Sequence, residues 1–234
     1  MNSELNELEE IRQRYHRRRK IPEFSLYNPL NPDRYMAYQD KRSAFIRWIK
    51  YSGLEPVRNK RVLEIGCGYG DNLLQLLTLG FQPENLVGNE LLEERAFYAQ
   101  RLLPAATQIL VGDASVLNLP KESFDVVLQA TVFTSILNDS FQQKLANHMW
   151  SMVRPGGGIL WFDFVFNNPS NSDIRGVPIS RIHELFPQGN IKTWKLILAP
   201  PISRRVTKIH PNLYILFNLM YFLRTHVLCW IQKP

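Results

Sequence analysis

Apolar residues follow two different rhythms along this chain. Near the start, Leu5, Leu8, Ile11 and Tyr15 recur at helical spacing between charged residues. That spacing predicts an amphipathic helix over 3–19, with Ser3 as its cap. A second helix is expected over 33–51, stopping near Gly53. Between the two, residues 21–32 hold three prolines and two Asn-Pro steps and read as irregular, extended chain. From residue 61 the rhythm changes to short apolar runs. Strands are expected at 61–65, 85–89, 108–111, 124–129, 157–165, 192–198 and 226–232. Helical patterns separate them at 71–79, 92–103, 139–153, 179–186 and 210–222. Such alternation gives an α/β fold, a mostly parallel sheet with helices on both faces. A proline-rich bend and a helix join the last two strands, which would suit a reversed final strand.

The first strand is the most informative. Its apolar run carries Glu64 and is followed by glycines at alternate positions, Gly66, Gly68 and Gly70, and then by a helix. A strand, a glycine turn and a helix N-terminus make the place where open α/β sheets bind nucleotides. Glycine reaches backbone angles closed to other residues and lets a ligand lie against bare backbone. The dinucleotide spacing G-x-G-x-x-G/A does not fit, because Asp71 stands where the third small residue belongs. Asp71 would also repel a phosphate at the helix start. A nicotinamide-dependent oxidoreductase is therefore disfavoured.

The Glu64, Gly66, Gly68, Gly70 pattern instead resembles the first motif of class I S-adenosylmethionine-dependent methyltransferases. Three later segments match that resemblance in order and spacing. The second strand ends in Asn89-Glu90-Leu91, where a carboxylate can accept hydrogen bonds from both ribose hydroxyls. Family members often carry an apolar residue and Asp here, and Glu90 is favoured over Asn89 for the role. The third strand ends in Gly112-Asp113-Ala114, which looks like the family's adenine-reading step. The fourth ends in Gln129-Ala130-Thr131, expected beside the methionine part. The segment Val153-Arg154-Pro155-Gly156 resembles the family's helix-to-strand turn. The resemblance implies a Rossmann-like sheet of seven strands, the last antiparallel, with S-adenosyl-L-methionine as cofactor. It also implies cofactor contacts from Glu64, Gly66, Cys67, Gly68, Gly70, Glu90, Leu91, Asp113, Ala114 and Gln129. It covers residues 55–234, with residues 1–54 as a helical extension or lid. A module that has kept this fold and lost activity is argued against by the intact acidic and glycine set.

Methyl transfer is an in-line displacement, so alignment is the enzyme's main contribution. An amine acceptor needs only a free lone pair, whereas a hydroxyl of high pKa needs a general base. Asp163, His183 and Tyr15 are the candidate catalytic groups, Asp163 at the end of the fifth strand. Tyr27, Asn167, Asn168 and Arg175 are candidates for holding the acceptor. Further likenesses, including Asn167-Asn168-Pro169 and Leu223-Arg224-Thr225-His226, are to bacterial small-molecule methyltransferases associated with surface-polysaccharide or natural-product pathways. They lean the acceptor towards a small molecule or glycan.

Charge refines the picture. The formal net charge is +7, and Arg12, Arg14, Arg17, Arg18, Arg19 and Lys20 supply six positive charges, so the remainder is +1. This basic segment suits an anionic acceptor or a membrane surface. An RNA or protein acceptor is the alternative, although no nucleic-acid motif accompanies the charge. Cys67 and Cys229 lie far apart, with no disulfide framework and no metal-ligand spacing, which suits a reducing compartment. The polar, acidic start excludes an ordinary signal peptide, and no apolar run reaches membrane-spanning length, so a cytoplasmic protein is expected.

Overall fold

The computed structural model describes residues 2–18, 28–167 and 171–234. Helix α1 (Asn2–Arg18) starts one residue before Ser3. Helix α2 (Pro32–Ser52) has proline in its first turn and ends on Gly53, whose φ of +65° closes the helix in the left-handed region. The sheet then alternates as expected: β1 (Val62–Ile65), α3 (Asp71–Thr78), β2 (Leu86–Glu90), α4 (Glu93–Leu102), β3 (Gln108–Val111), β4 (Phe124–Ala130), α5 (Asp139–Met152) and β5 (Val153–Phe164). The last part comprises α6 (Ile179–Leu185), β6 (Asn190–Leu198), α7 (Pro200–Ile209), α8 (Asn212–Asn218) and β7 (Arg224–Gln232).

The seven strands lie in the order β3-β2-β1-β4-β5-β7-β6. Strands β1 to β5 pair in parallel, and β7 runs antiparallel to both of its neighbours. The chain is thus an α/β protein of Rossmann-like build with a reversed final strand. Three details differ from the sequence reading. Pro200 and Pro201, read as a bend, open helix α7, because proline's missing N–H costs nothing in a first turn. The expected helix over 210–222 is broken into the shorter α8 and a 3-10 turn at Tyr221–Leu223, with α7 preceding both. Strand β5 also starts earlier than expected, at Val153 rather than 157, with a register irregularity opposite Phe124 and Val126.

Alternation along the strands builds two cores. Leu63, Ile65, Val127, Ile159 and Trp161 face α5 and α6 on one side. Val62, Leu86, Val126, Leu160 and Trp230 face the other side, where α2 contributes Phe45 and Trp48. Helix α2 is therefore a layer of the sheet's own core. Helix α1 is seated differently: Ile11 is buried in the first core, with Leu8 and Tyr15 packed beside it.

An ion-pair cluster fixes that seat. Arg14 donates to Glu7 at 3.0 Å and to the Ser135 carbonyl at 3.0 Å, and Glu7 accepts from the Leu137 amide at 2.9 Å. Both side chains are only 6% exposed, so removing one partner leaves a buried charge uncompensated. We expect Arg14→Met to loosen α1 while leaving the sheet intact. Hydrogen exchange should speed up across 7–17 by about 100-fold or more, the scale of a broken buried pair, with little change in β1, β4 and β5. Equal protection in wild type and variant would show that Arg14 is not what fastens the helix.

Candidate active site

A cavity of about 280 Å³ opens at the carboxyl ends of β1, β2 and β4. The turns that follow these strands form its floor. Gly66, Cys67 and Gly68 come from the turn after β1, Glu90 and Leu91 from the end of β2, and Gly112, Asp113 and Ala114 from the turn after β3. The loop after β4 adds Ala130, Thr131 and Val132, and α1 covers one side with Leu8, Ile11 and Tyr15.

The glycine turn has the backbone that its sequence requires. Gly66, Gly68 and Gly70 have φ of +65°, +57° and +92°, a region that side chains disfavour. Their surroundings differ. A Cβ on Gly66 would lie 2.5 Å from Val132 Cγ2, and one on Gly70 would lie 3.0 Å from Leu103 Cδ1, against α4. A Cβ on Gly68 would meet nothing within 4 Å, so this residue presents bare backbone to the open cavity.

Glu90 stands at the wall with both oxygens aligned by backbone. One accepts from the Gly68 amide at 2.8 Å and the other from the Leu92 amide at 2.9 Å. Each oxygen keeps a second lone pair, so the carboxylate can still take a pair of hydroxyls. Asn89 is held elsewhere, donating to the Leu110 and Gly112 carbonyls at 3.3 and 3.0 Å. Asp113 is fixed by Ser115, whose amide donates at 2.8 Å and whose hydroxyl donates at 2.9 Å. That clamp sets the Ala114 turn on the cavity's edge.

Behind the floor runs a buried polar chain. Lys41 donates to Asn72 Oδ1 at 2.7 Å, and Asn72 donates to Glu64 Oε1 at 2.6 Å. Lys41, Asp71 and Asn72 line the cavity. Glu64 is wholly buried, and desolvation pushes its pKa up to about 8, offset in part by the Asn72 hydrogen bond and by Lys41. Burial also lowers Lys41, against the pull of Glu64 and Asp71. A cation and carboxylates around one cavity wall suit a zwitterionic amino-acid tail. The Glu90 carboxylate and the bare Gly68 backbone suit a ribose and a closely approaching chain. These groups fit S-adenosylmethionine, which carries both parts and no phosphate.

Of the residues expected to hold the cofactor, Gly66, Cys67, Gly68, Glu90, Leu91, Asp113 and Ala114 line the cavity. Glu64, Gly70 and Gln129 stand behind its wall. Gln129 is fully buried and accepts from the Val132 amide at 3.1 Å, so it shapes the loop rather than the surface. Tyr15 lines the cavity, its hydroxyl 3.4 Å from Ser135 Oγ and its ring 4.4 Å from the Arg95 guanidinium. The other catalytic candidates are placed apart. Asp163 is sealed on the sheet face that carries Trp161, and its pKa is pushed to about 7 by burial, with Thr134, Phe164 and Gln129 pulling the other way. His183 is exposed on α6, because Ile182 and Leu185 take the buried stripe of that helix. Arg175 pairs with Asp139, and Asn167 accepts from the Gly176 amide at 2.9 Å, so both tie down the loop after β5 outside the cavity lining. Tyr27 and Asn168 lie outside the described residues, as do Arg19, Lys20 and the side chain of Arg18. Among the described residues there is no cluster of three His, Cys, Asp or Glu side chains suited to a metal.

Sequence reasoning missed Lys41, Arg95, Asn72 and Phe162. A signal existed for the first. Lys41 is in helical register with the buried Ala44, Phe45 and Trp48, a cation on an apolar stripe.

Comparison with known proteins shows what this cavity-bearing region is similar to. Residues 62–157 match a family described as "Methyltransferase domain". This stretch, under half of the chain, is similar to methyltransferase domains. The fold of the chain is shared with magnesium protoporphyrin IX methyltransferase from Synechocystis, solved with bound S-adenosylhomocysteine, at a TM-score of 0.60 and 12% identity over 86% of each chain. A methyltransferase from Archaeoglobus fulgidus gives 0.59 at 14% identity, over 82% of this chain and 93% of the other. Curated relatives include a fatty-acid O-methyltransferase of Mycolicibacterium smegmatis, 35% identical over 46% of this chain and 38% of that protein. A phthiotriol/phenolphthiotriol dimycocerosates methyltransferase of Mycobacterium ulcerans is 34% identical over 53% of this chain and 46% of its own length. A tRNA N(3)-cytidine methyltransferase of Gallus gallus is 29% identical over 44% and 30%. The match thus spans less than half the length of each of these relatives. The tRNA relative runs against setting nucleic acid aside as an acceptor.

One prediction concerns the clamped carboxylates. Glu90→Ala and Asp113→Ala should each weaken S-adenosylhomocysteine binding by about 1–3 kcal/mol, the scale of a lost charged hydrogen bond. Titration calorimetry measures this directly, and two unchanged dissociation constants would remove both residues from the cofactor's contacts.

Proposed function

We propose that this protein is an S-adenosylmethionine-dependent methyltransferase that transfers a methyl group to O or N of a small-molecule or glycan acceptor by direct displacement. The observation that carries this reading is a single cavity with two unlike ends. One end has the Glu90 carboxylate, the bare Gly68 backbone and the Asp113–Ala114 turn. The other, beneath α1, is walled by Leu8, Ile11, Ile136, Phe141 and Leu145. A cofactor held at the first end would point its reactive part into a compartment that α1 closes against water.

When bound, the cofactor supplies an activated methyl group. The chain's own residues orient and enclose. Glu90 would hold the ribose hydroxyls, Asp113 and the Ala114 amide the adenine edge, and Lys41 the carboxylate of the tail. The carboxylates that line the cavity are Asp71, Glu90 and Asp113, all on the cofactor side. On the acceptor side Tyr15 brings a phenol hydroxyl to the cavity wall, and alignment carries the reaction. The apolar compartment favours an acceptor with an apolar portion, in keeping with the two mycobacterial relatives whose names give lipid acceptors.

The tRNA-modifying relative supports a second reading, an RNA acceptor reached through the basic N-terminal segment. Much of the described charge there is already paired: Arg14 with Glu7 and Glu10, Arg12 with Glu9, and Arg17 with Asp173. The two readings separate in a transfer assay with methyl-labelled S-adenosylmethionine on cell extract divided into small-molecule, lipid-glycan, protein and RNA fractions. Label in either of the first two supports the leading reading. Label in RNA, falling steeply with salt, supports the second.

A further inference from the structure

Helix α8 is apolar on both sides. Tyr214 is buried, its hydroxyl accepting from the Leu198 amide at 3.2 Å, and Leu213 and Phe217 pack beside it. That side faces the protein. The opposite side exposes Ile215 and Leu216, each 55% exposed, and the surface continues through Leu219, Tyr221 and Phe222 at 71%, 53% and 76%. Ile209, at the end of α7, is 79% exposed. A helix apolar all round belongs inside a protein, and one left half in water needs a cover.

The charge around this surface identifies the cover. Glu184 is the last acidic residue of the chain. After it come Lys192, Lys195, Arg204, Arg205, Lys208, Arg224 and Lys233, seven cations that equal the formal net charge of the whole protein. Arg205 and Lys208 are exposed on α7 beside the apolar surface, and Lys195 lies 4.9 Å from the Tyr221 ring. A second copy of this face would bring like charges together. An anionic lipid surface accepts both features, aliphatic and aromatic side chains among the acyl chains and headgroups, and basic residues on the phosphates. No helix among the described residues is long and apolar enough to cross a membrane, so the contact is interfacial.

Topology gives the contact its use. Strand β6 runs the same way as β5, because both are antiparallel to β7. Helices α7 and α8 join the end of β6 to the start of β7, which puts them at the same end of the sheet as the cavity. Asn218 donates to Asp40 at 3.1 Å, and the next residue along α2, Lys41, lines the cavity.

We propose that the face made by α7, α8 and the turn over 219–223 docks on an anionic bilayer surface and brings the cavity's end of the sheet towards the membrane. This inference does not depend on the methyl acceptor. The test is flotation of the full chain with vesicles of phosphatidylcholine alone or mixed with phosphatidylglycerol. The expected result is binding to the mixed vesicles, weakened by salt, and at least about ten-fold weaker binding to the neutral ones. A variant with Ile209→Ser, Leu219→Ser and Phe222→Ser, and a second with Arg205→Glu and Lys208→Glu, should each lose about ten-fold or more while keeping the wild-type melting temperature. Failure of the folded wild type to float with either vesicle would overturn the proposal, as would flotation that neither variant weakens. Self-association abolished by the serine variant, without flotation, would assign the face to a second copy and likewise overturn it.

Discussion

Replacing Gly66 by valine should abolish S-adenosylhomocysteine binding and leave the sheet folded. Two effects combine. The residue has φ of +65°, where a side chain costs roughly 1–2 kcal/mol and a β-branched one more. Its new Cβ would also lie 2.5 Å from Val132 Cγ2, so the loop after β4 must move. Val132 lines the cavity, and Thr131 beside it already has φ of +59°. A loop held in so unfavourable a conformation will relax when pushed. We expect an affinity loss of more than about 100-fold, with overpacking costing about 1–3 kcal/mol of stability. Gly68→Ala makes the contrast. A Cβ there meets no protein atom, so the stability cost is strain alone. If the cofactor lies against that bare backbone, affinity should still fall by about ten-fold or more, since overpacking against a bound group costs at least 1 kcal/mol. Undiminished affinity in both variants, measured by calorimetry beside a thermal melt, would move the cofactor away from this turn.

The glycine turn was legible because its chemistry is local. A strand, three glycines and a helix start fix the backbone within a few residues, and Glu90 and Asp113 follow at strand ends that periodicity can place. The reversed β7 was implied by the family resemblance, since the broken alternation near the end suits such a strand without giving its direction. What could not be read was the direction of side chains on elements brought together from afar. Asp163 and Gln129 sit at the ends of their strands, as the sequence suggests. Both fall on the face that packs under the loop over 131–137, and which face that is depends on how β4 and β5 pair with each other and with their other neighbours. His183 looked available because it is polar near the site, yet Ile182 and Leu185 claim the inward side of its helix. Arg175 is committed to Asp139, a partner 36 residues away. Lys41 is the converse. It lay in a segment treated as an extension, and only the packing of α2 against the sheet brings its ammonium to the cavity. The seating of α1 by Glu7 and Arg14 was likewise hidden, because a buried ion pair within a charged helix looks like solvated surface.

Glu64 gives the second large effect, one with a definite sign. Burial raises its pKa from the usual 4.5 to about 8, so the folded state holds its proton while the unfolded chain has released it. Below pH about 4.5 both states are protonated and the residue contributes no pH dependence. Between there and about 8 the unfolded state binds fewer protons, so stability falls as pH rises. The total is on the order of several kcal/mol before relaxation. Glu64→Gln keeps the shape, and its side-chain carbonyl can still accept from Asn72, so the variant should lose this slope and be the more stable protein at pH 8. The charged groups that act on Glu64 are Lys41, Asp71 and Glu90, and all remain in the variant. A cationic amino-acid tail brought to the same wall would favour the carboxylate. Wild-type affinity for S-adenosylhomocysteine should then rise between pH 6 and 8, by about ten-fold per pH unit at most for one released proton. The variant should show weaker affinity that does not vary with pH. Denaturant melts across that range, with proton release measured by calorimetry in buffers of different ionisation enthalpy, check both parts. Identical pH slopes in wild type and Glu64→Gln would mean that Glu64 is already ionised, stabilised by Lys41 through Asn72.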